Sequence, residues 1–480
     1  MAFLSFLDRD KSIAKPGYNR WLFPTAALSV HMCIGQAYGL SVFNIPLSKL
    51  IGITESAPND WPLTVTVWIF NIAFFFLGVS AAVFGKWVER NGPRKTMLMS
   101  AICFGSGFMV SAIGVELHSI WLLYLGYGVL GGIGLGLGYI SPVSTLIKWF
   151  PDRPGMATGM AIMGFGGGAM IGSPLAVNLM NYFKTPASMG VTETLIAMGA
   201  IYFCFMLFGA ITARVPAANW KPEGWTPALV STNKMITMAN VDADTAIKTR
   251  PFWLLWAILC LNVTAGIGVL SQASPMIQEI FSDVRMGAGR GITPEAAAGF
   301  VGLLSLFNLA GRFAWSSVSD ITGRKVIYMI YLGLGALLYA LIPTTGQMGS
   351  TALFVGIFCL ILSMYGAGFA TIPAYLRDMF GTMQVGAIHG RLLTAWSTAA
   401  ILGPTIVTQL RDYQVKAGVM AGLAENVAKA TAYNTTMYIM ASLLVVGFIC
   451  NLLVRPVAAQ YHYWKEENLQ PVQPIFTHGR

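Results

Sequence analysis

Ser305, Asn308, Arg312, Ser316 and Ser319 recur at steps of three and four in an otherwise apolar run, a spacing that sets all five on one face of a helix. Arg312 carries the chemistry. A guanidinium stays protonated at any physiological pH, and its planar fork fits a carboxylate bidentately. Placed among residues suited to a membrane span, it needs a polar cavity or a partner, so a fixed cation there points to an anionic cargo. The competing reading is an arginine snorkelling to the headgroups, since Asp320 lies only about 12 Å further along a helix. Asn308 and Ser305 carry the stripe deeper than a snorkel requires.

Around this stripe the sequence offers few further polar groups. Gln36, Tyr38 and Tyr139 can hydrogen-bond or stack on a carboxylate, with ordinary helix packing as the alternative. Trp396 is expected to line the same cavity. His31 lies well inside the first apolar run and is the candidate for proton coupling; His389, seven residues before Trp396, lies nearer a span end. Asn262, Gln272, Ser274, Tyr365 and Tyr375 are weaker polar candidates. Glu89, Asp320 and Asp378 fall at span ends, and no constellation for hydrolysis or metal catalysis is evident. Cys33, Cys103, Cys204, Cys260, Cys359 and Cys450 lie in apolar runs without paired spacing, which suggests neither a disulfide framework nor a zinc site. The runs Gly132 to Gly138 and Gly164 to Gly168 lack the preceding strand and following Gly-Lys-Ser/Thr of a phosphate loop. Close helix packing explains them better. No enzyme activity, cofactor or metal is expected.

The elements that position these residues must be membrane helices. Hydrophobic residues make up 55% of the 480 and charged residues 10%, against roughly 25% charged in a soluble domain. Twelve runs long enough to span hydrocarbon are readable at 20–45, 61–84, 96–115, 119–147, 156–180, 192–213, 252–281, 296–319, 326–344, 351–375, 386–408 and 434–454. With both termini cytoplasmic, 22 of the 30 Lys and Arg fall in inner segments and seven in outer ones, Arg312 standing apart; that bias supports the orientation. The net charge of +10 then reflects topology and anionic lipid rather than nucleic acid. The reading is an integral protein of the inner or plasma membrane, functional as a monomer.

The halves repeat. At an offset of 231 residues Gly35 falls on Gly266, Glu89 on Asp320, Gly92 on Gly323, Arg94 on Lys325, Pro142 on Pro373, Gly155 on Gly386 and Gly159 on Gly390. Parallel six-span repeats are a known transporter architecture. The expected division is an N-terminal segment 1–19, a six-helix bundle 20–215, a linker 216–250, a second bundle 251–458 and a tail 459–480.

Gly85-Lys-Trp-Val-Glu89-Arg90-Asn-Gly92-Pro93-Arg94-Lys95 resembles the signature loop between helices 2 and 3 of the major facilitator superfamily, and Ser316 to Lys325 resembles its copy between helices 8 and 9. The resemblance implies an all-α membrane fold of twelve helices in two pseudo-symmetric bundles. It also implies a gating role for Glu89, Arg90, Gly92, Arg94, Asp320, Gly323 and Arg324. Asn308-Leu-Ala-Gly311-Arg312 with Ser319-Asp320 is similar to helix 8 of the oxalate/formate antiporter family and related monocarboxylate transporters. Segments around Arg20-Trp21, Gly35 to Phe43, Lys148 to Gly155 and Gly386 to Trp396 agree. That likeness implies Arg312 as the carboxylate anchor, with Asn308, Ser305, Gln36, Tyr38, Tyr139 and Trp396 about it. Two departures matter. Trp396 stands where oxalate carriers of this group place a lysine, and Asn308 where animal monocarboxylate transporters place an aspartate. The expectation is secondary transport of a small monocarboxylate such as lactate, pyruvate, formate or acetate, by proton symport or anion exchange. An oxalate-type exchanger is the alternative, and a non-transporting carboxylate receptor ranks below it.

Overall fold

The computed structural model describes residues 2–463 apart from 54, 219, 226–234, 238 and 288. Much of the linker and nearly all of the expected tail therefore lie outside the described residues.

Among the described residues twelve helical columns follow one another. α1 is Phe23–Ile34, continued by a tighter turn over Gly35–Phe43; a single helix Leu63–Glu116 breaks at Gly92 into α2 (63–91) and α3 (93–116). α4 joins Ile120–Leu123, Tyr124–Gly131 and Gly132–Trp149; α5 is Pro154–Phe183 and α6 Val191–Thr212. In the second half α7 is Arg250–Ser271, extended by Ala273–Ile280; α8 is Pro294–Thr322, α9 Arg324–Gln347 and α10 Thr351–Phe380. α11 joins Val385–Leu392 and Thr394–Met420, and α12 is Asn434–Leu453. Among the described residues, eight helices are long and apolar enough on their own to cross a membrane, the longest holding both α2 and α3. α1 and α11, interrupted at Gly35 and Leu393, and α8, which carries the polar stripe, complete the twelve.

Local chemistry sets the breaks. Gly92 has φ 79°, open to glycine at little cost, and Pro93 opens α3 where its missing N–H costs nothing. Gly323 repeats the device at φ 86° between α8 and α9. Lipid gives helices no hydrophobic reason to associate, so close van der Waals contact through small residues must do it. The Gly132 to Gly138 run supplies such contact. A Cβ would strike the Ala73 carbonyl at Gly132, Phe104 at Gly134, and Ser100 at Gly138. The second run lets α5 approach two neighbours, with Gly164 against His31 and Gly168 against Gly35 of α1, and Gly166 and Gly167 against Leu309 of α8.

The ends of the described chain meet one face, here called the basic face. Arg94 donates to the carbonyls of Phe6 and Lys11 at 2.9 and 3.1 Å, and Tyr463 donates its backbone N–H to Asn240 at 2.7 Å. On this face the bundles close against each other twice, at positions the repeat relates. Gly155 and Gly159 of α5 press on Ser316 and Arg312 of α8, and Gly386 and Gly390 of α11 press on Glu89 and Ala81 of α2. The acids cap the opposing helices. Asp320 accepts the Gly155 and Met156 amides, each at 2.8 Å, and Glu89 accepts the Gly386 amide at 2.9 Å and pairs with Lys148 at 2.5 Å. The negative charges sit where the helix dipoles favour them.

The loop cations behave differently from the acids. Arg94 stays in its own half, reaching the Ala213 carbonyl at the end of α6 at 2.9 Å besides the N-terminal segment. Arg324 joins Asp320 at 2.5 Å and Asp378 of α10 at 3.2 Å, also within one half. Arg90 is exposed.

A short helix, Ala243–Ala246, lies across the seam. Asp244 binds Lys86 of α2 and Arg391 of α11, one cation from each half. Those two cations hold its carboxyl down at about 2, below the ordinary 3.8. Because the folded value is depressed, the contact is complete above pH 4 and is lost as pH falls toward 2. Hydrogen exchange at 243–246 should be flat from pH 7 to 4 and accelerate, after correction for intrinsic rates, between pH 4 and 2; Asp244→Asn should show the faster rate throughout. Asp244 is well exposed, so the expected effect is local.

Candidate functional site

A cavity of about 230 Å³ opens between the bundles on the side away from the basic face. Its walls come from the far halves of α1, α2, α5, α7, α8 and α11, among them Tyr38, Phe70, Gly166, Leu270 and Pro404. Ser305 and Asn308 line it and carry the α8 stripe to its floor. The basic half of the interface below is shut by the glycine contacts.

Arg312 lies just beneath this floor, one helical turn beyond Asn308, and is completely buried. Its Nε donates to Asn308 Oδ1 at 2.8 Å, and Nη1 reaches the Ile162 carbonyl of α5 at 3.3 Å. Nη2 has no partner. Three rings enclose the guanidinium, with centroids 6.0 Å away for Tyr38, 5.8 Å for Phe165 and 5.6 Å for Phe369. No aspartate or glutamate pairs with it among the described residues. The stripe is therefore split by function. Ser305 and Asn308 meet the cavity, while Ser316 and Ser319 bond back to carbonyls of α8 itself at 2.5 Å, at the closed interface.

The enclosing rings form one cluster drawn from both halves. Trp396 of α11 packs 4.3 Å from Phe369, 5.4 Å from Phe74, and 5.5 Å from both Phe165 and Tyr139. Tyr38 packs 5.0 Å from Phe165. The position that could have held a second cation thus holds an aromatic wall. Within the cluster the indole Nε1 of Trp396 and the hydroxyl of Tyr139 are buried without hydrogen-bond partners, while the Tyr38 hydroxyl lies close to that of Tyr365 and to the Arg312 guanidinium. Arg312 lies within electrostatic reach of all three tyrosines. The two orphaned groups are potential donors, and a buried donor left unpaired costs about 1–3 kcal/mol. The tyrosine hydroxyls can also accept, but among the described residues the chamber holds no anionic acceptor for the guanidinium.

His31 stacks on Tyr139 at 5.4 Å. Its Nδ1 lies 2.7 Å from the Ala161 carbonyl oxygen and its Nε2 3.2 Å from that of Tyr139. A neutral imidazole can donate to one of these acceptors and a doubly protonated ring to both. His389 also lies against Tyr139, at 5.7 Å, with both ring nitrogens unpartnered.

Gln36 is not brought to this chamber. Its Oε1 accepts from Tyr127 of α4 at 2.8 Å, and its stem packs at Gly172 beside Tyr202, all within the first bundle. Asn262 packs against Gly368 with its Nδ2 unpartnered, and Tyr375 reaches toward Asn451 of α12 at 3.5 Å. The Ser274 side chain lies outside the described residues. Tyr365, Phe165 and Phe369 contribute more than sequence spacing indicated. Gly266 of α7 makes room for Tyr365, because a Cβ there would overlap the tyrosine ring.

Comparison with known proteins agrees with this architecture. The oxalate:formate antiporter of Oxalobacter formigenes is 23% identical over 439 residues, covering 91% of this chain and 92% of that protein. The apicoplast pyruvate carrier 1 of Toxoplasma gondii is 25% identical over 462 residues, covering 79% and 81%. Among solved structures, the E. coli fucose:proton symporter FucP superposes with a TM-score of 0.59 at 15% identity, over 92% of this chain and all of that one, a likeness of fold alone. Residues 26–404 match the Major Facilitator Superfamily, and with twelve helices in two bundles around a central chamber the chain belongs to that superfamily of membrane transporters.

Proposed function

We propose that this transporter moves a small monocarboxylate across the inner or plasma membrane by alternating access, with its basic face cytoplasmic and its cavity facing outward. The observation that carries the reading is the buried Arg312, whose Nη2 meets no strong acceptor and which has no acid beside it among the described residues. A carboxylate supplies the missing acceptors and cancels the charge. Arg312 is the anchor; Asn308 holds its fork, Ser305 lines the approach, and Tyr38, Tyr139 and Trp396 close the chamber. Arg312 works without a second cation in the chamber, which favours a monoanion over oxalate. Gln36 has a packing role in this scheme.

His31, faced by two carbonyl oxygens, is the group we assign to a co-transported proton. Glu89 and Asp320 gate the basic side by capping α11 and α5, with Gly92 and Gly323 turning their loops. Arg324 braces Asp320 from within its half, Lys148 does the same for Glu89, and Arg94 ties the N-terminal segment to the end of α6. The carriers of oxalate and formate and of pyruvate among the relatives agree with an organic-anion cargo. Uptake of labelled lactate, pyruvate, formate, acetate and oxalate into proteoliposomes tests the reading. Saturable uptake of monocarboxylates, exceeding that of oxalate, is expected; flux of none of them would overturn it.

A further inference from the structure

His389 of α11 is a buried imidazole that touches both working parts of the molecule. In sequence it stands between Gly386 and Gly390, the glycines of one closed seam. Its ring lies 5.7 Å from that of Tyr139 of α4, which closes the chamber. Neither ring nitrogen has a hydrogen-bond partner, although an imidazole always presents at least one N–H and a buried donor left unpaired is costly. Packing gives no reason to keep such a ring, because an apolar side chain of similar size would fill the space without that cost. His31 of α1 stacks on the same tyrosine at 5.4 Å. Two imidazoles, one from each bundle, thus meet a single ring at the bundle interface.

The charged groups on the helices around His389 are engaged elsewhere. Glu89 of α2 pairs with Lys148 of α4, and Lys86 of α2 and Arg391 of α11 hold Asp244. Asp378 of α10 binds Arg324 and Arg377, and Arg250 at the start of α7 is exposed. The charge that reaches His389 is a proton on His31, and His31 in turn lies within reach of Arg312. Empty, Arg312 opposes a second positive charge on His31; a carboxylate on Arg312 lifts that opposition. Two imidazoles so close then hold one proton between them rather than two.

We infer that His389 is the second station of the transported proton, taking it from His31 and delivering it to water on the basic side. This rests on the reading of His31 as the proton carrier. The transfer breaks one N–H bond of the His31 imidazolium and forms one on a free nitrogen of neutral His389, so no other reactant is needed. Direction comes from the fold. His389 belongs to the bundle opposite His31 and to the segment that must leave α2 when the seam parts, so a proton on it is carried away from His31 as the basic side opens. Once in water, an imidazole exchanges its proton readily near neutral pH.

Proteoliposomes given labelled lactate, pyruvate, formate and acetate separate two rates. Net uptake driven by acid on the cavity side requires a proton to be released on the basic side in every cycle; exchange of an anion for its labelled copy does not. His389→Gln, polar but unable to carry a proton, should slow acid-driven net uptake by about 100-fold and leave exchange within about twofold. His389→Leu, which fills the space without unpaired donors, should do the same. A side chain that only packs would lower both rates together, and that result in both variants overturns the inference. So does acid-driven uptake within about threefold of the unmodified protein; if His31→Gln abolishes it in the same assay, His31 keeps its role alone. Acid-driven uptake that survives His31→Gln removes the first station and the relay with it. If the unmodified protein exchanges these anions but shows no acid-driven uptake, both histidine assignments fall and the anchor at Arg312 stands.

Discussion

Replacing Arg312 with glutamine should abolish anion uptake while leaving the protein folded. Glutamine keeps donors near Asn308 but loses the charge and the fork, the features that make a guanidinium–carboxylate pair strong. Hydrogen bonds to charged groups contribute about 1.5–3 kcal/mol, so substrate affinity should fall by about 10- to 100-fold. Stability should move the other way or not at all. Arg312 is fully buried with an unpaired Nη2, and a desolvated charge without an ionic partner is a burden to the empty fold. An unchanged or raised melting temperature together with lost uptake is therefore the expected pair of results. Arg312→Lys should be intermediate, keeping the charge without the fork. Uptake within twofold of the unmodified protein in the glutamine variant would remove Arg312 from the binding site.

The second large effect is expected at Gly390. A Cβ at this position would overlap the Ala81 carbonyl, and the neighbouring contacts of Gly85 on Ala387 and Gly386 on Glu89 leave no slack in the same seam. Overpacking a close contact costs about 1–3 kcal/mol. Because that cost falls only on the state closed at the basic face, Gly390→Ala should shift the population by about 5- to 100-fold toward states open there. Turnover should fall while ligand affinity from the basic side is kept. In a cysteine-free background, a reporter at Ser144, which packs against Gly386 in the closed seam, should label faster from the basic side by a similar factor. Unchanged labelling would show that the seam does not control access.

Periodicity made the α8 stripe legible, because steps of three and four have one meaning on a helix. The repeat offset identified in advance the glycines and acids that form both closed seams. Gly155 and Gly386, and Asp320 and Glu89, occupy equivalent places there. What sequence left out was convergence from separate helices. Phe165 and Phe369 lie on α5 and α10, and nothing in their spacing links them to Arg312; Trp396 on α11 is expected beside it only through the family resemblance, and Tyr365 on α10 only as one weak polar candidate among several. Gln36 illustrates the converse. It stands two residues from Tyr38, and residues two apart do not share a helical face; its partner Tyr127 lies far away in sequence on α4. The loop cations also resist a reading from the motif alone. Arg94 and the acid Glu89 share one turn, yet Glu89 reaches the other half and Arg94 only its own.

At the repeat offset of 231 residues, Arg312 falls on Ala81. The frame is doubled but the charge is single, and the two meet the same contacts, Arg312 under Gly159 and Ala81 under Gly390. A carrier of this design, loaded with one monoanion, passes its midpoint electrically neutral. Returning empty, it must pass with a bare cation sealed away from water. Counterflow of one anion for another avoids that return, so exchange across the membrane should run faster than net movement in either direction.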